Sequence, residues 1–539
     1  MQLIIITIAA LLYRLVGIIK PEGLWNDEYV SWLIAATPFS DGFVQAMKEQ
    51  CHMPFYYLYL KSFMAWFGSS DLILRLTSVL PGVISVIVMY FIGLQKDKKT
   101  AVVASAITAF SSFLIYYSQE VRLYSLLFML SAFALLYFIR LIKNHNITAL
   151  YGLIIFDFLI LFTHTIGFVY IFFQLTALTL LLFKEYKRQL TIVWSTLILL
   201  GILVAPNIYH IFTKLGISQW WGSFSLSKIY FLVTDYFSPV LTNLVNSPDV
   251  FLYNHSFSFI IFTVVPAFIA IAFIIKSQIK DKLNIALFMI ALFTIITLVI
   301  AAVMGKLIFI TKYSIEIYPI LIYLAAVGAT SINRLFPRYL LLGIFFLANI
   351  YYLTFSPVSA PRMPRPQGHK IVAEILNNSN IQDGDILLFE YYAPERFAKY
   401  IELNKYQTYS INKGNFYKYF NQNSTYNSAA QNGKEEFKET FKGKPNIQME
   451  YFLKTNIMDK MHKNQNLYII VNDSVAIYSK DGIKNIMNDD FAYNKVPLLY
   501  MVFSYINNYT FAYFSQKLNV ARVEKMGDWS VIKFTKLNN

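Results

Sequence analysis

Between residues 2 and 355 the chain repeats one pattern, in which apolar runs of about 20 residues alternate with short polar connections. That is the length an α-helix needs to cross the hydrocarbon layer at about 1.5 Å per residue. Eleven runs qualify, near 2–19, 72–94, 101–118, 123–142, 147–163, 166–183, 190–211, 258–275, 283–303, 315–333 and 338–355. The connections test this reading, because cytoplasmic loops hold an excess of Lys and Arg. "QKDKK" (95–99), "RLIKNHN" (140–146), "KEYKR" (184–188), "KSQIKDK" (276–282) and "NRLFPR" (333–338) fall on alternate connections, hence on one side. With the N-terminus on that side, the chain beyond 355 is expected outside the cytoplasm. The first 19 residues lack a basic leader and a small-residue cleavage pattern, so they read as a retained helix rather than a signal peptide.

After residue 355 the pattern changes. "SAPRMPRPQGHK" (359–370) is a Pro-rich basic linker. "HKIVAEILNN" then has helical spacing, whereas "GDILLFEYY", "NLYIIVN" and "DWSVIKFTK" read as strands. The stretch 403–465, rich in Asn, Lys, Tyr and Gln, reads as irregular. The expected architecture is therefore a mainly α polytopic membrane domain over 1–355, followed by a small extracytoplasmic α/β domain over 356–539. The first outer loop, 20–71, is aromatic-rich, and "DEYVSWLIAA" and "FYYLYLKSFMAWF" are expected to form short interfacial helices anchored by Trp25, Trp32 and Trp66. A second cover is expected over 212–257, which holds Trp220, Trp221 and Asp235.

Composition supports this division. Of 539 residues, 56% are hydrophobic and 14% charged, below the roughly 25% charged usage of a soluble domain. A net charge of +15 in so apolar a chain fits cytoplasmic loops and contact with anionic lipid or phosphate better than nucleic acid. A single cysteine, Cys51, excludes an intrachain disulfide and a CxxC metal site. There is no GxxxxGK[ST], HExxH or GxSxG pattern, so nucleotide hydrolysis, zinc proteolysis and a serine triad have no support.

Most acids before residue 355 fall on the outer side: Glu22, Asp27, Glu28, Asp41, Glu49, Asp71, Glu120, Asp235, Asp249 and Glu316. Asp27 and Glu28 are consecutive, about 100° apart on a helix, so one of them faces a given site; we take Asp27 as the inward acid. The competing reading is a pair of carboxylates favoured by a helix N-terminus. In "YYSQEVRLYS" (116–125), Glu120 and Tyr124 share a face if the segment is helical, and Arg122 points elsewhere. Glu120 is a candidate for holding a sugar or metal and Arg122 for meeting phosphate, against a local salt bridge as the alternative. "CHMPFYYLYL" offers His52 and Tyr56, with Pro54 fixing a helix start. His164 in "FTHTIG" lies at an outer turn, and Lys306, Lys312 and Tyr313 lie in "GKLIFITKYSIEIYP". Acids, cations and aromatics at one interface suit a substrate that is part lipid, part phosphate and part sugar.

Five of these pieces, "WNDEYVSWLIA", "HMPFYYLYLKSF", "IYYSQEVRLYSLLFML", "FTHTIGFVYIF" and "TKYSIEIYPILIYLAA", resemble in order the GT-C superfamily of polyprenyl-phosphate-dependent glycosyltransferases. The likeness is greatest to the branch holding protein O-mannosyltransferases and the aminoarabinose transferases that modify lipid A, glycosyltransferase family 39 in type. It spans about residues 1–335. The resemblance implies a GT-C membrane core with interfacial helices and a site at the outer leaflet, in which Asp27 is the catalytic base and Glu120 and Arg122 are site residues. It also implies membrane lipid and a polyprenyl-phosphate sugar as partners, in a plasma (inner) membrane. The acceptor (protein, lipid or polysaccharide) stays open, as does a divalent cation, since related families differ in metal use. The family's Arg-Tyr before the late proline is Lys312-Tyr313 here, a point charge in place of a bidentate fork.

The chemistry agrees with one base and several cations. A sugar leaving a phosphodiester expels a phosphate monoester, whose second pKa is near 6, so the leaving group needs no proton. A base for the acceptor hydroxyl and cations for the leaving charge suffice, and direct attack inverts the anomeric centre. The rival class is a transporter or flippase of a lipid-linked sugar. Many transporters carry inverted repeats and midplane charges, whereas here no repeat is evident and the acids crowd one interface.

Overall fold

The structure is a computed structural model that describes residues 1–20, 23–41, 43, 53–144, 147–214, 226–241, 260–277, 281–304, 310–356, 359, 361, 369–389, 397–410, 453–455, 457–462, 465–472, 513–526 and 529–536. The chain forms two compact units. The first is Met1–Ile19 with Val30–Met363, and the second is Lys20–Tyr29 with Pro364–Asn539.

The first unit is helical. Its elements are α1 (Gln2–Leu15), the greater part of α2 (Asn26–Ala36), α3 (Pro54–Phe67), α4 (Asp71–Leu94), α5 (Lys98–Phe110), α6 (Ser112–Ser118), α7 (Tyr124–Asn144), α8 (Ile147–Leu161), α9 (Gly167–Lys214), α10 (Leu226–Phe237), α11 (Val265–Ser277), α12 (Lys282–Val303), a 3-10 helix over Thr311–Ile317, α13 (Tyr318–Thr330) and α14 (Leu335–Phe355). Among the described residues the apolar runs fall mainly on helix. Among the described residues six helices are long and apolar enough to cross a membrane, or up to seven when α5 and α6, bent by 56°, count as one. Three shorter apolar helices accompany them. The protein is thus a multi-pass membrane protein. The runs 166–183 and 190–211 join in α9, broken at the non-helical Tyr186 within the basic "KEYKR" connection.

Several polar residues at the helix ends have local work. Asp97 accepts from Thr100 N–H at 2.8 Å and Asp281 from Leu283 N–H at 3.0 Å, so these loop acids cap α5 and α12. Pro54 occupies the first turn of α3, where no backbone donor is needed. The next residue, Phe55, donates its N–H to Phe162 O at 2.9 Å, tying α3 to the end of α8. Lys61 on α3 donates to Ala35 O and Thr37 O at 2.9 and 2.8 Å, closing the C-terminal end of α2.

The second unit holds α15 (Lys370–Asn378) and strands β1 (Ile386–Phe389), β2 (Gln407–Ser410), β3 (Leu467–Asn472), β4 (Leu518–Met526) and β5 (Trp529–Lys536). The sheet order is β2-β1-β3-β5-β4; β1 runs parallel to β2 and β3, and β5 runs antiparallel to β3 and β4. β1 is buried at all four positions, as expected of a central strand covered on both faces. Ile371, Val372, Ile375 and Leu376 of α15 pack with Leu387, Phe389, Tyr468 and Val531 in one core. The helix and three strands named from the sequence are α15, β1, β3 and β5. The strand β2 lies within the stretch read as irregular, because four residues of "QTYS" carry little apolar signal.

Candidate active site

In the first unit the site is built around the turn 119–123, between α6 and α7. The turn is not helical, so the condition on which Glu120 and Tyr124 would share a face is not met. Arg122 N–H instead donates back to Glu120 O at 2.7 Å, and Ser78 Oγ on α4 donates to the same oxygen at 2.6 Å. Glu120 and Arg122 are buried, at 1% and 8% exposure. The Arg122 guanidinium donates from Nη1 to Ser31 Oγ on α2 at 3.2 Å.

Aromatic and cationic groups line the same region. Lys312 Nζ sits 5.3 Å from the centroid of Tyr124 and 5.7 Å from that of Tyr313, held by cation–π attraction. The Tyr117 ring packs edge-on against Tyr124 at 4.9 Å. Tyr56 on α3 is buried, and among the described residues its hydroxyl has no hydrogen-bond partner. Burial pushes the Tyr56 phenol well above its usual value; Tyr57, Tyr59 and Glu120 add to the rise and Arg122 opposes it. Tyr56 therefore stays a neutral donor within the field of both Glu120 and Arg122.

The 3-10 helix over 311–317 supports a second cluster. His164 Nδ1 lies 2.7 Å from Glu316 Oε1, and the His164 ring lies 6.1 Å from the Tyr313 ring. Thr311 Oγ1 donates to Asp235 Oδ2 at 3.0 Å and Tyr236 Oη donates to Ser314 O at 2.7 Å, fixing the 3-10 helix to α10. Glu120, Arg122, Tyr56, Tyr124, Lys312, Tyr313 and His164 thus join one connected region. His52 and Lys306 lie outside the described residues, as do Trp220 and Trp221. Glu316 and Asp235 were legible only as outer-side acids, and their partners are about 150 and 76 positions away. Among the described residues no group of three or more His, Cys, Asp or Glu is placed to hold a metal ion.

Asp27 and Glu28 belong to the second unit. Glu28 is fully buried and its Oε2 accepts from Trp25 N–H at 3.2 Å, the reverse arm of a capping box at the start of α2. Asp27, in the same first turn, is partly exposed. The two adjacent carboxylates therefore differ: one closes the helix N-terminus and the other remains accessible.

Residues 51–210 match the family model described as dolichyl-phosphate-mannose-protein mannosyltransferase. Crystal structures of ArnT from Cupriavidus metallidurans, one in the apo state and one bound to undecaprenyl phosphate, match with a TM-score of 0.51 at 10% identity, over 98% of this chain and 97% of that one. The oligosaccharyltransferase AglB from Archaeoglobus fulgidus, in complex with an inhibitory peptide and a dolichol-phosphate, matches with a TM-score of 0.48 at 12% identity, over 92% of this chain and 71% of that one. No curated protein matches the chain. The match over residues 51–210 and the ArnT-like fold agree with the resemblance carried by the five motifs, that of a GT-C membrane glycosyltransferase.

Proposed function

We propose that the protein transfers a sugar from a polyprenyl-phosphate donor to an acceptor hydroxyl at the outer face of the membrane, with inversion and with Asp27 as the base. The observation that carries the reading is the bond from Arg122 Nη1 to Ser31 Oγ, which fixes a buried cation to α2 within the first unit. Asp27 precedes Ser31 by four residues on α2, so the two share a face of that helix.

In this reading Arg122 and Lys312 stabilise the negative charge that grows on the departing lipid phosphate. Arg122 offers a planar fork and Lys312 a point charge held between two rings. The Tyr56 hydroxyl donates to a sugar or phosphate oxygen. Asp27 takes the acceptor proton as the hydroxyl oxygen attacks the anomeric carbon and the bond to phosphate breaks. The binding of undecaprenyl phosphate by ArnT supports a lipid phosphate as the leaving group.

The test is to offer the purified protein a panel of polyprenyl-phosphate sugars and measure released lipid phosphate and the anomeric configuration of the product. Asp27→Asn is expected to abolish release while the protein stays folded. An active Asp27→Asn variant would remove the base assignment, and a retained configuration would exclude direct displacement.

A further inference from the structure

Resting on that reading, we propose that Arg14 and Gln119 are positioning residues: a reciprocal clamp that holds the Glu120–Arg122 turn in register for the donor phosphate. Neither belongs to the five motifs as a site residue, and each acts through the turn.

Arg14 lies near the C-terminal end of α1 and is fully buried in an apolar bundle, where a charged side chain requires partners. Its partners are mostly backbone. Nη2 donates to Thr108 O, Nη1 to Ala109 O and Ala10 O, and Nε to Ser118 Oγ, all at 3.2 Å. Thr108 and Ala109 are in the last turn of α5, whose carbonyls lose their helical donors where the chain bends into α6. The guanidinium thus caps α5 with a charge of the right sign for a helix C-terminus.

Gln119, the residue after α6, returns the arrangement. Its Nε2 is within reach of Tyr13 O, Arg14 O and Val16 O at 3.3, 3.0 and 2.7 Å, the final carbonyls of α1. Arg75 Nη1 adds a bond to Ile18 O at 3.1 Å. α1 therefore closes the end of α5, and the segment leaving α6 closes the end of α1.

The path of Arg14 crosses α4 at Gly82. A Cβ built there would stand 2.2 Å from Ser118 Oγ and 2.9 Å from Arg14 Nε, so only glycine admits both groups. From Ser118 the chain of contacts continues to the turn. Ser118 Oγ is 3.4 Å from Ser125 Oγ, Ser125 Oγ donates to Ser78 O at 2.7 Å, and Ser78 Oγ holds Glu120 O. The turn is fastened at its start by Gln119, at Glu120 O and just beyond its end by Ser125, which leaves the side chains of Glu120 and Arg122 to face the site. Lysine cannot replace Arg14, because a single ammonium cannot span Thr108 O, Ala109 O and Ser118 Oγ together.

The experiment uses the full-length protein in lipid nanodiscs, with Arg14→Lys and the milder Gln119→Met, each also combined with Arg122→Ala. Amide hydrogen exchange over 116–125 is measured beside kcat and KM for a polyprenyl-phosphate sugar. Both single variants are expected to speed exchange in that segment selectively and to lower kcat/KM by about tenfold or more. In the Arg122→Ala background the same substitutions are expected to cost less than about twofold further, because effects that run through one group do not add. Unchanged exchange over 116–125, exchange raised uniformly along the chain, or a loss of equal size in the Arg122→Ala background would each overturn the clamp. Absence of transfer by the wild-type protein would instead sink the proposed function, and the exchange data would still decide whether the clamp holds the turn.

Discussion

The backbone N–H of Leu24 donates to the hydroxyl of Tyr400 at 2.8 Å, a bond between positions 376 residues apart. His369 N–H donates to Leu24 O at 3.1 Å, and the rings of Tyr29 and His369 meet edge-on at 5.3 Å. The segment that leads into Asp27 is therefore held within the second unit. Gly23 is the tightest point: its φ is +75°, and a Cβ would stand 2.5 Å from Lys370 Cβ. Gly23→Ala is expected to destabilise by about 1–3 kcal/mol through strain. Tyr400→Phe, which deletes one hydrogen bond, is expected to cost about 0.5–1.5 kcal/mol. Thermal unfolding and lipid-phosphate release should fall in that order, and wild-type behaviour of Gly23→Ala in both would show the segment is not so held.

Lys312 Nζ lies within cation–π reach of two tyrosine rings, Tyr124 and Tyr313. Lys312→Met should raise the donor KM by about tenfold, the loss of one charge-assisted contact of about 1.5 kcal/mol or more. Lys312→Arg should keep or improve donor affinity, since a guanidinium can bind phosphate through two donors and still stack on Tyr124. Binding of the lipid phosphate alone, measured by calorimetry, separates the two variants; equal affinity of Lys312→Met and wild type would place the phosphate elsewhere.

How far the sequence discloses this arrangement depends on the reach of each interaction. The helices follow from runs of apolar residues, and α15, β1, β3 and β5 from periodicity, because those signals are local. The shared face of Glu120 and Tyr124 depends on a helix there, and bonds donated by Ser78, Gln119 and Arg122 hold a turn instead. Arg14 falls inside the first apolar run with no local partner type to mark it, and its partners at Thr108, Ala109 and Ser118 are about 100 positions away. The spacing sets Asp27 and Glu28 about 100° apart and we take Asp27 as the inward acid from it, whereas Glu28 is the buried one, accepting from Trp25 N–H.

Glu316 is 2% exposed and 2.7 Å from His164 Nδ1, so removing the imidazole leaves a buried carboxyl without that partner. His164→Ala is expected to lower stability by about 3 kcal/mol or more, the usual result of breaking a buried pair from one side. Adding Glu316→Gln to His164→Ala should recover part of the loss, because the amide carries no charge to bury. A double variant less stable than His164→Ala in thermal unfolding would show that Glu316 is held by other groups.

The Tyr59 hydroxyl donates to Thr77 O at 2.9 Å, and burial pushes its pKa up to about 12. In the unfolded chain the same phenol ionises near pH 10, so between about 10 and 12 the unfolded state loses a proton that the native state retains. This contribution to stability is complete below about pH 10 and is lost as pH rises through the folded value. Unfolding temperatures from pH 8 to 11.5 should fall more steeply for wild type than for Tyr59→Phe, and parallel profiles would mean that Tyr59 is not the source.

Two adjacent carboxylates give the sharpest separation of structural and chemical roles. Glu28→Gln keeps an oxygen able to accept from Trp25 N–H, so the α2 cap survives in form; only its charge at the helix N-terminus is lost, worth about 0.3–1 kcal/mol. Transfer should fall by less than about fivefold in that variant, with a small drop in thermal stability. Asp27→Asn should show the opposite, with stability near wild type and transfer reduced by about a thousandfold or more, the scale of losing a general base together with its charge. The comparison requires both variants to insert in the membrane in similar amounts. If Glu28→Gln is the inactive one and Asp27→Asn the active one, the buried acid is the base, and the accessible one only favours the start of the helix.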